Sequence, residues 1–146
     1  EENILNSKIS NFSIIRTCLV YGEKKDSDNI LMWVRRKLYA GEKLNIVDDQ
    51  YRTPTFVDDL SQSIYKIIKK DIKGVYNISG GEFLSIFEFV CNIAKGLNQS
   101  LICKSRSEDI NQKAKRPIKS GLLIDKAKKD FGFSPTQIKN SLNTIK

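Results

Sequence analysis

Apolar positions along the chain alternate between two periods. Residues 12–16 form an Ile-rich run suited to a buried parallel strand. Ile30, Val34 and Leu38, supported by Met32 and Trp33, repeat at helical spacing and stop at Gly41. Residues 44–47 make a short strand that feeds a polar loop. A helix follows over 58–70, with Leu60, Ile64, Ile67 and Ile68 at helical spacing and a Thr55-x-x-Asp58 capping signature ahead of it. Residues 74–81 read as a strand closed by Gly80-Gly81, a pair that could let backbone approach a ligand but that a plain turn explains better. Ser85-x-x-Glu88 is a capping box, and the helix it opens has a core stripe of Ile86, Phe89, Val90, Ile93 and Leu97. A strand over 101–103, an extended polar loop over 104–120 and two helices over 125–131 and 136–145 complete the pattern. Gly132 and Pro135 split the last two helices, residues 1–7 read as a helix end, and 23–29 are a polar loop. Strands alternating with helices predict an α/β fold, with 12–16 and 75–78 in one parallel sheet.

The length of 146 residues is one domain's worth. Its 40% hydrophobic and 29% charged content are ordinary for a globular protein. No apolar run approaches the roughly 20 residues of a membrane span, so no membrane partner is expected. The chain has no histidine, which excludes Ser-His-Asp and Cys-His catalysis and His-ligated metals. Cys18, Cys91 and Cys103 lack Cys-x-x-Cys spacing and read as reduced, buried thiols of a cytoplasmic protein. The net charge of +8 raises a nucleic-acid reading. Lysines such as Lys66, Lys69 and Lys70 fall on the polar faces of predicted helices, so solvated faces explain the charge better.

The chemistry concentrates between residues 48 and 60. A strand, a loop holding Arg52, then a helix N-terminus is an arrangement suited to a phosphate-bearing ligand, although a surface loop with a stray arginine has the same pattern. A second arginine, Arg116, lies in the basic stretch Lys113-Ala114-Lys115-Arg116-Pro117-Ile118-Lys119. Asn29 stands where a helix N-cap belongs. Asp58 and Asp59 lie about 100° apart on a helix. They suit capping and the helix dipole better than acid/base catalysis.

Three blocks carry a resemblance. The first is Asp49-Gln50, then Pro54-Thr55, then Asp58-Asp59-Leu60. The second is Ile15-Arg16-Thr17-Cys18-Leu19-Val20-Tyr21-Gly22. The third is Arg116-Pro117-x-x-Ser120, Leu123, then Asp125-Lys126-Ala127-x-x-x-Phe131-Gly132-Phe133-x-Pro135. Together they resemble the extended short-chain dehydrogenase/reductase family, and within it the dTDP-4-dehydrorhamnose reductases.

The resemblance implies a partial Rossmann-type sheet with that family's small substrate-binding subdomain. Residues 1–146 would form a single C-terminal substrate-binding domain, with the nucleotide-binding half absent. No glycine-rich turn is present, and the chain is read as lacking the family's catalytic Tyr-x-x-x-Lys pair, which would lie just upstream of residues 12–16. Arg52 and Arg116 would hold the diphosphate of a dTDP- or UDP-linked sugar, since guanidinium forks match its oxygens. Asn29, Gln50, Pro54 and Thr55 would complete the substrate side, and Thr17 and Cys18 would pass the nicotinamide. NAD or NADP is the family's cofactor, and none is expected to bind this chain alone. The sheet cut at the missing half is expected to favour self-association.

Three departures bear on the substrate. The reductases usually carry glycine at the position of Arg52, where epimerases and dehydratases carry arginine. Lys119 stands where many relatives have an acidic residue, and Leu19 where the reductases have tryptophan. The expected function is therefore the nucleotide-sugar-binding part of an NAD(P)-dependent reductase. A nucleotide-sugar epimerase or dehydratase is one alternative. Another is a non-catalytic subunit resembling the regulatory subunit of methionine adenosyltransferase.

Overall fold

Parallel strand pairing between distant segments organises the chain. The computed structural model describes all residues except 8, 25–26, 111–113, 115 and 146. Lys113 and Lys115 of the basic stretch therefore lie outside the described residues. Strand β1 (Ser13–Arg16) pairs in parallel with β6 (Gly74–Asn77), Ser13 facing Gly74 and Arg16 facing Asn77. This is the expected shared parallel sheet. Strand β2 (Val20–Tyr21) runs parallel to β5 (Thr55–Phe56), and β3 (Leu44–Val47) to β8 (Ile102–Ser105). A three-stranded sheet places β4 (Tyr51–Arg52) between β7 (Leu84–Ser85) and β9 (Lys119–Ser120).

The helices follow local chemistry. After a short α1 (Glu2–Leu5), α2 (Ile30–Tyr39) starts where Asn29 Oδ1 accepts from the amides of Leu31 and Met32. Helix α4 (Ile86–Ile93) opens on the expected capping box: Ser85 N–H donates to Glu88 Oε2 at 2.7 Å, and Glu88 N–H to Ser85 Oγ at 3.1 Å. Helix α5 (Asp125–Phe131) ends on left-handed Gly132, φ +67°.

Helix α3 (Val57–Lys69) corrects one expectation. Thr55 does not cap it, because the Thr55 hydroxyl donates to Cys18 O at 2.7 Å while Thr55 pairs in β5. Asp59 caps a different element. Its carboxylate accepts the N–H and hydroxyl of Thr136, both at 2.8 Å, and Glu82 accepts Ile138 N–H at 2.6 Å. These remote carboxylates delay α6 to Ile138–Thr144. The segment read as a loop over 104–120 is also revised. Strand β8 extends to Ser105 because it pairs along all of β3, and β9 closes the segment's far end. The cysteines are not the buried thiols expected: Cys103 on β8 is exposed, and Cys18 and Cys91 are half-buried.

Two apolar clusters result. The larger holds Tyr21, Leu31, Val34, Phe89, Val90 and Ile138 between α2, α4 and α6. The smaller packs Ile67, Tyr76, Ile78, Ala127, Phe131 and Phe133 between α3, β6 and α5. On α3, Ile67 is buried, whereas Tyr65 and Ile68 are 62% and 73% exposed.

Candidate functional site

Strand β4 is the centre of the site because both flanking strands bring a loop to it. Its parallel pairing with β9 sets Tyr51 against Lys119 and Arg52 against Ser120. Tyr51 N–H donates to Ile118 O at 2.7 Å. The Arg52 loop and the segment after Arg116 therefore lie side by side. Beside them opens a cleft of about 690 Å³, lined by Asp49, Arg106, Ser107, Glu108, Arg116 and Ile118 among others.

The Arg52 guanidinium is fixed from behind. Nη1 donates to Tyr51 O at 2.7 Å and to Ile118 O at 3.3 Å, and Nη2 to Gln50 Oε1 at 3.2 Å. These bonds take three of its five N–H groups and hold the plane of the fork. Gln50 is buried, and its Nε2 donates to Ser107 Oγ at 2.8 Å. Ser107 gives both its backbone N–H and its hydroxyl to Asp49, the latter at 2.7 Å. The Ser107 hydroxyl is the main cause that holds the Asp49 carboxyl below its usual value. Asp48 lies 3.7 Å from Lys104 Nζ and 4.0 Å from Arg106 Nε.

The other site residues divide into two groups. Thr55, Thr17 and Cys18 lie together: Thr17 Oγ1 donates to Thr55 Oγ1 at 3.1 Å, and the Cys18 thiol points to Ser120 O at 3.6 Å. Pro54 is buried, and its carbonyl lies so close to Gly80 that a Cβ there would come within 2.0 Å of the oxygen. Gly80 is thus more than a turn residue, since it lets the 80–81 backbone close over the arginine loop. A smaller cavity of about 380 Å³ adjoins this contact, lined by Thr53, Gly80, Phe83, Lys119 and Gly121 among others. Asn29 stands apart from the cleft. It lines a different cavity with Tyr21 and Val57, and its amide nitrogen donates to Gly22 O at 2.9 Å.

Sequence reasoning passed over Asp49 as a structural clamp, and it missed Ser107 and Arg106 altogether. Residues 49 and 107 share no local pattern. They meet because β3 and β8 pair in parallel and Asp48 N–H continues the ladder to Ser105 O at 3.1 Å. The absence of a Tyr-x-x-x-Lys spacing also needs correcting, since Tyr21–Lys25, Tyr39–Lys43 and Tyr65–Lys69 all have it. Tyr21 is 1% exposed in the core, with its hydroxyl bonded to Ser141 at 2.6 Å, and burial pushes its pKa up to about 12. Tyr65 lies on the outer face of α3 with Lys69 Nζ 5.6 Å from its ring centre, and Tyr39 is 75% exposed at the end of α2. Neither Tyr21, Tyr39 nor Tyr65 lines the arginine cleft. No group of three or more acidic or cysteine side chains is placed to hold a metal among the described residues. Among the described residues, no helix is long and apolar enough to cross a membrane.

Comparison with known proteins adds independent findings. The family model described as RmlD substrate binding domain matches residues 1–146. The dTDP-4-dehydrorhamnose reductases of Sinorhizobium fredii and Aggregatibacter actinomycetemcomitans are each 27% identical to the chain. The alignments cover 84% and 91% of this chain, and 45% and 49% of those proteins. The crystal structure of dTDP-4-dehydrorhamnose reductase from Bacillus anthracis in complex with NADP superposes with a TM-score of 0.81 at 25% identity. It covers 91% of this chain and 47% of its own. The chain thus spans about half the length of these relatives.

Proposed function

The chain belongs to the RmlD substrate binding domain family, and on that premise we propose that it is the C-terminal, nucleotide-sugar-binding part of an NAD(P)-dependent reductase acting in the cytoplasm. The observation that carries this reading is the paired arginine segments. Strands β4 and β9 set the Arg52 loop beside the Arg116 loop, at a cleft of about 690 Å³. Arg116 lines that cleft and Arg52 does not, so a diphosphate reaching from the cleft to Arg52 would meet guanidinium groups from two separate loops, and the fork of Arg52 is already oriented. The substrate of this reading is a dTDP- or UDP-linked sugar. Gln50 orients the anchor. Pro54 and Thr55 shape the loop that carries it, while Asn29, which caps α2 beside a separate cavity, takes no part in the clamp.

The cofactor does not fit within this chain. A dinucleotide pyrophosphate needs a glycine-rich turn running into a helix N-terminus. Helix α2 starts on Asn29, α3 on Phe56 and α4 on Ser85, none of them on such a turn. Thr17 and Cys18 would only flank the nicotinamide, so no chemical step is assigned to these residues. The exposed apolar face of α3 and the open edges of the β1–β6 pair would meet the rest of the protein, or a second copy of the chain in its absence. Support from relatives falls on the reductases, and neither the epimerase or dehydratase alternative nor the regulatory-subunit alternative has an equal.

The test is titration of the full-length protein with dTDP and dTDP-sugars. Arg52→Ala and Arg116→Ala should each weaken binding about 10- to 100-fold, the loss of one charge-assisted anchor. Lys73→Ala, at an exposed residue outside the cleft lining, serves as control. The losses should be similar for different sugars on one nucleotide, because the anchors meet phosphate. Binding by both arginine variants equal to the control would place the clamp elsewhere.

A further inference from the structure

The Asp49–Ser107–Gln50–Arg52 chain of hydrogen bonds has a fixed polarity. A carboxylate only accepts and a guanidinium only donates, so the two ends dictate what the middle does. The single Ser107 hydroxyl hydrogen goes to Asp49 at 2.7 Å, and the oxygen is then left as the acceptor for Gln50 Nε2 at 2.8 Å. Turning the Gln50 amide this way points its carbonyl oxygen at Arg52 Nη2, 3.2 Å away. A reversed amide would set an NH2 group against a guanidinium N–H and leave a buried carbonyl facing Ser107. Gln50 is 4% exposed, so water gives little relief for such a mismatch.

We propose that Ser107 is a positioning residue: it fixes the orientation of Gln50, and through Gln50 the guanidinium of Arg52, so that it sets affinity for a nucleoside diphosphate held by Arg52. This rests on the diphosphate reading given above and deepens it. The relay also joins the two walls of the cleft, since Asp49 and Gln50 precede β4 while Ser107 follows β8. Ser107 and Arg116 line the same cleft, so one hydroxyl ties the frame of one anchor to the wall that bears the other.

The experiment is a double-mutant cycle in the full-length protein, read as the dissociation constant of dTDP by calorimetry with a thermal melt beside each variant. Ser107→Ala should weaken dTDP about 3- to 10-fold in the wild-type background, the loss expected for one hydrogen bond in the relay. In the Arg52→Ala background the same change should cost less than about 2-fold, because the group it positions is gone. Ser107→Thr keeps the hydroxyl and should stay within about 2-fold of wild type. Ser107→Ala that weakens binding equally in both backgrounds marks a general loosening of the loop and overturns the proposal. So does Ser107→Ala with no effect, or Ser107→Thr as weak as Ser107→Ala. If Arg52→Ala weakens dTDP and Ser107→Ala does not, only the positioning role falls. If Arg52→Ala itself binds like wild type, the diphosphate reading fails and the positioning role with it.

Discussion

The helical core around Phe89 and the arginine cleft are built by opposite means. Phe89 is fully buried, with its ring edge-on to Tyr21 at 4.9 Å, and it sits among Leu31, Val34, Val90 and Ile138. Those contacts are non-directional, and side-chain volume fixes them. The cleft is held by directional bonds. Three distant stretches of chain meet there through strand pairing and a one-way series of hydrogen bonds from Arg52 to Asp49. The core should therefore respond to lost volume with lost stability. The cleft should respond to a lost hydroxyl or guanidinium with lost affinity while the fold survives.

The largest expected effect tests the core side of that contrast. Phe89→Ala should destabilise the protein by about 3–5 kcal/mol in urea denaturation, the usual cost of emptying a buried phenylalanine site. Below the denaturation midpoint, the folded fraction should still bind dTDP normally. Gly80→Ala crosses the boundary between the two regions. Its Cβ would meet the backbone oxygen of Pro54, which cannot swing aside as a side-chain end can. A loss of about 1–3 kcal/mol is expected, as for overpacking elsewhere, together with weaker dTDP binding because the arginine loop is pushed. A Gly80→Ala protein that is destabilised yet binds dTDP unchanged would show that loop and cover are not coupled.

The smallest effect is electrostatic. The Asp49 carboxyl should titrate below 3.8 in a pH series followed by NMR of its side-chain carbon. Its folded value is depressed, so the tie to Ser107 is present at and above the ordinary carboxylate range. It is lost as pH falls through the folded value. In Ser107→Ala the titration should move back up towards 3.8, since the Ser107 hydroxyl is the leading cause of the shift.

The core was legible because its signals are local. The capping box at Ser85 and Glu88, the spacing of Ile30, Val34 and Leu38, and Gly132 at the end of α5 each act within a few residues. The parallel pairing of β1 with β6 was also readable, from two short apolar runs with a helical connection between them. The family was recognised from three short blocks, and the family match over residues 1–146 bears that out. Where the sequence misled, a distant partner had taken over a local rule. Thr55 looks like a helix cap, but its hydroxyl goes to Cys18 O. Asp59 does stand in the first turn of its own helix, as a dipole partner should, but its carboxylate also caps the segment before α6, which no local rule showed. The clamp of Asp49 on Ser107 left no trace in composition or period, because it exists only once β3 and β8 have aligned over a separation of 58 residues.

The most direct measurement is a map of amide chemical-shift changes in the isotopically labelled full-length protein as dTDP is added. The account predicts the largest changes at residues 49–54, 105–110 and 116–120, with the amides around Phe89 unmoved. Changes confined to residues 20–29, around the cavity that Asn29 lines, with the arginine loops silent, would contradict it.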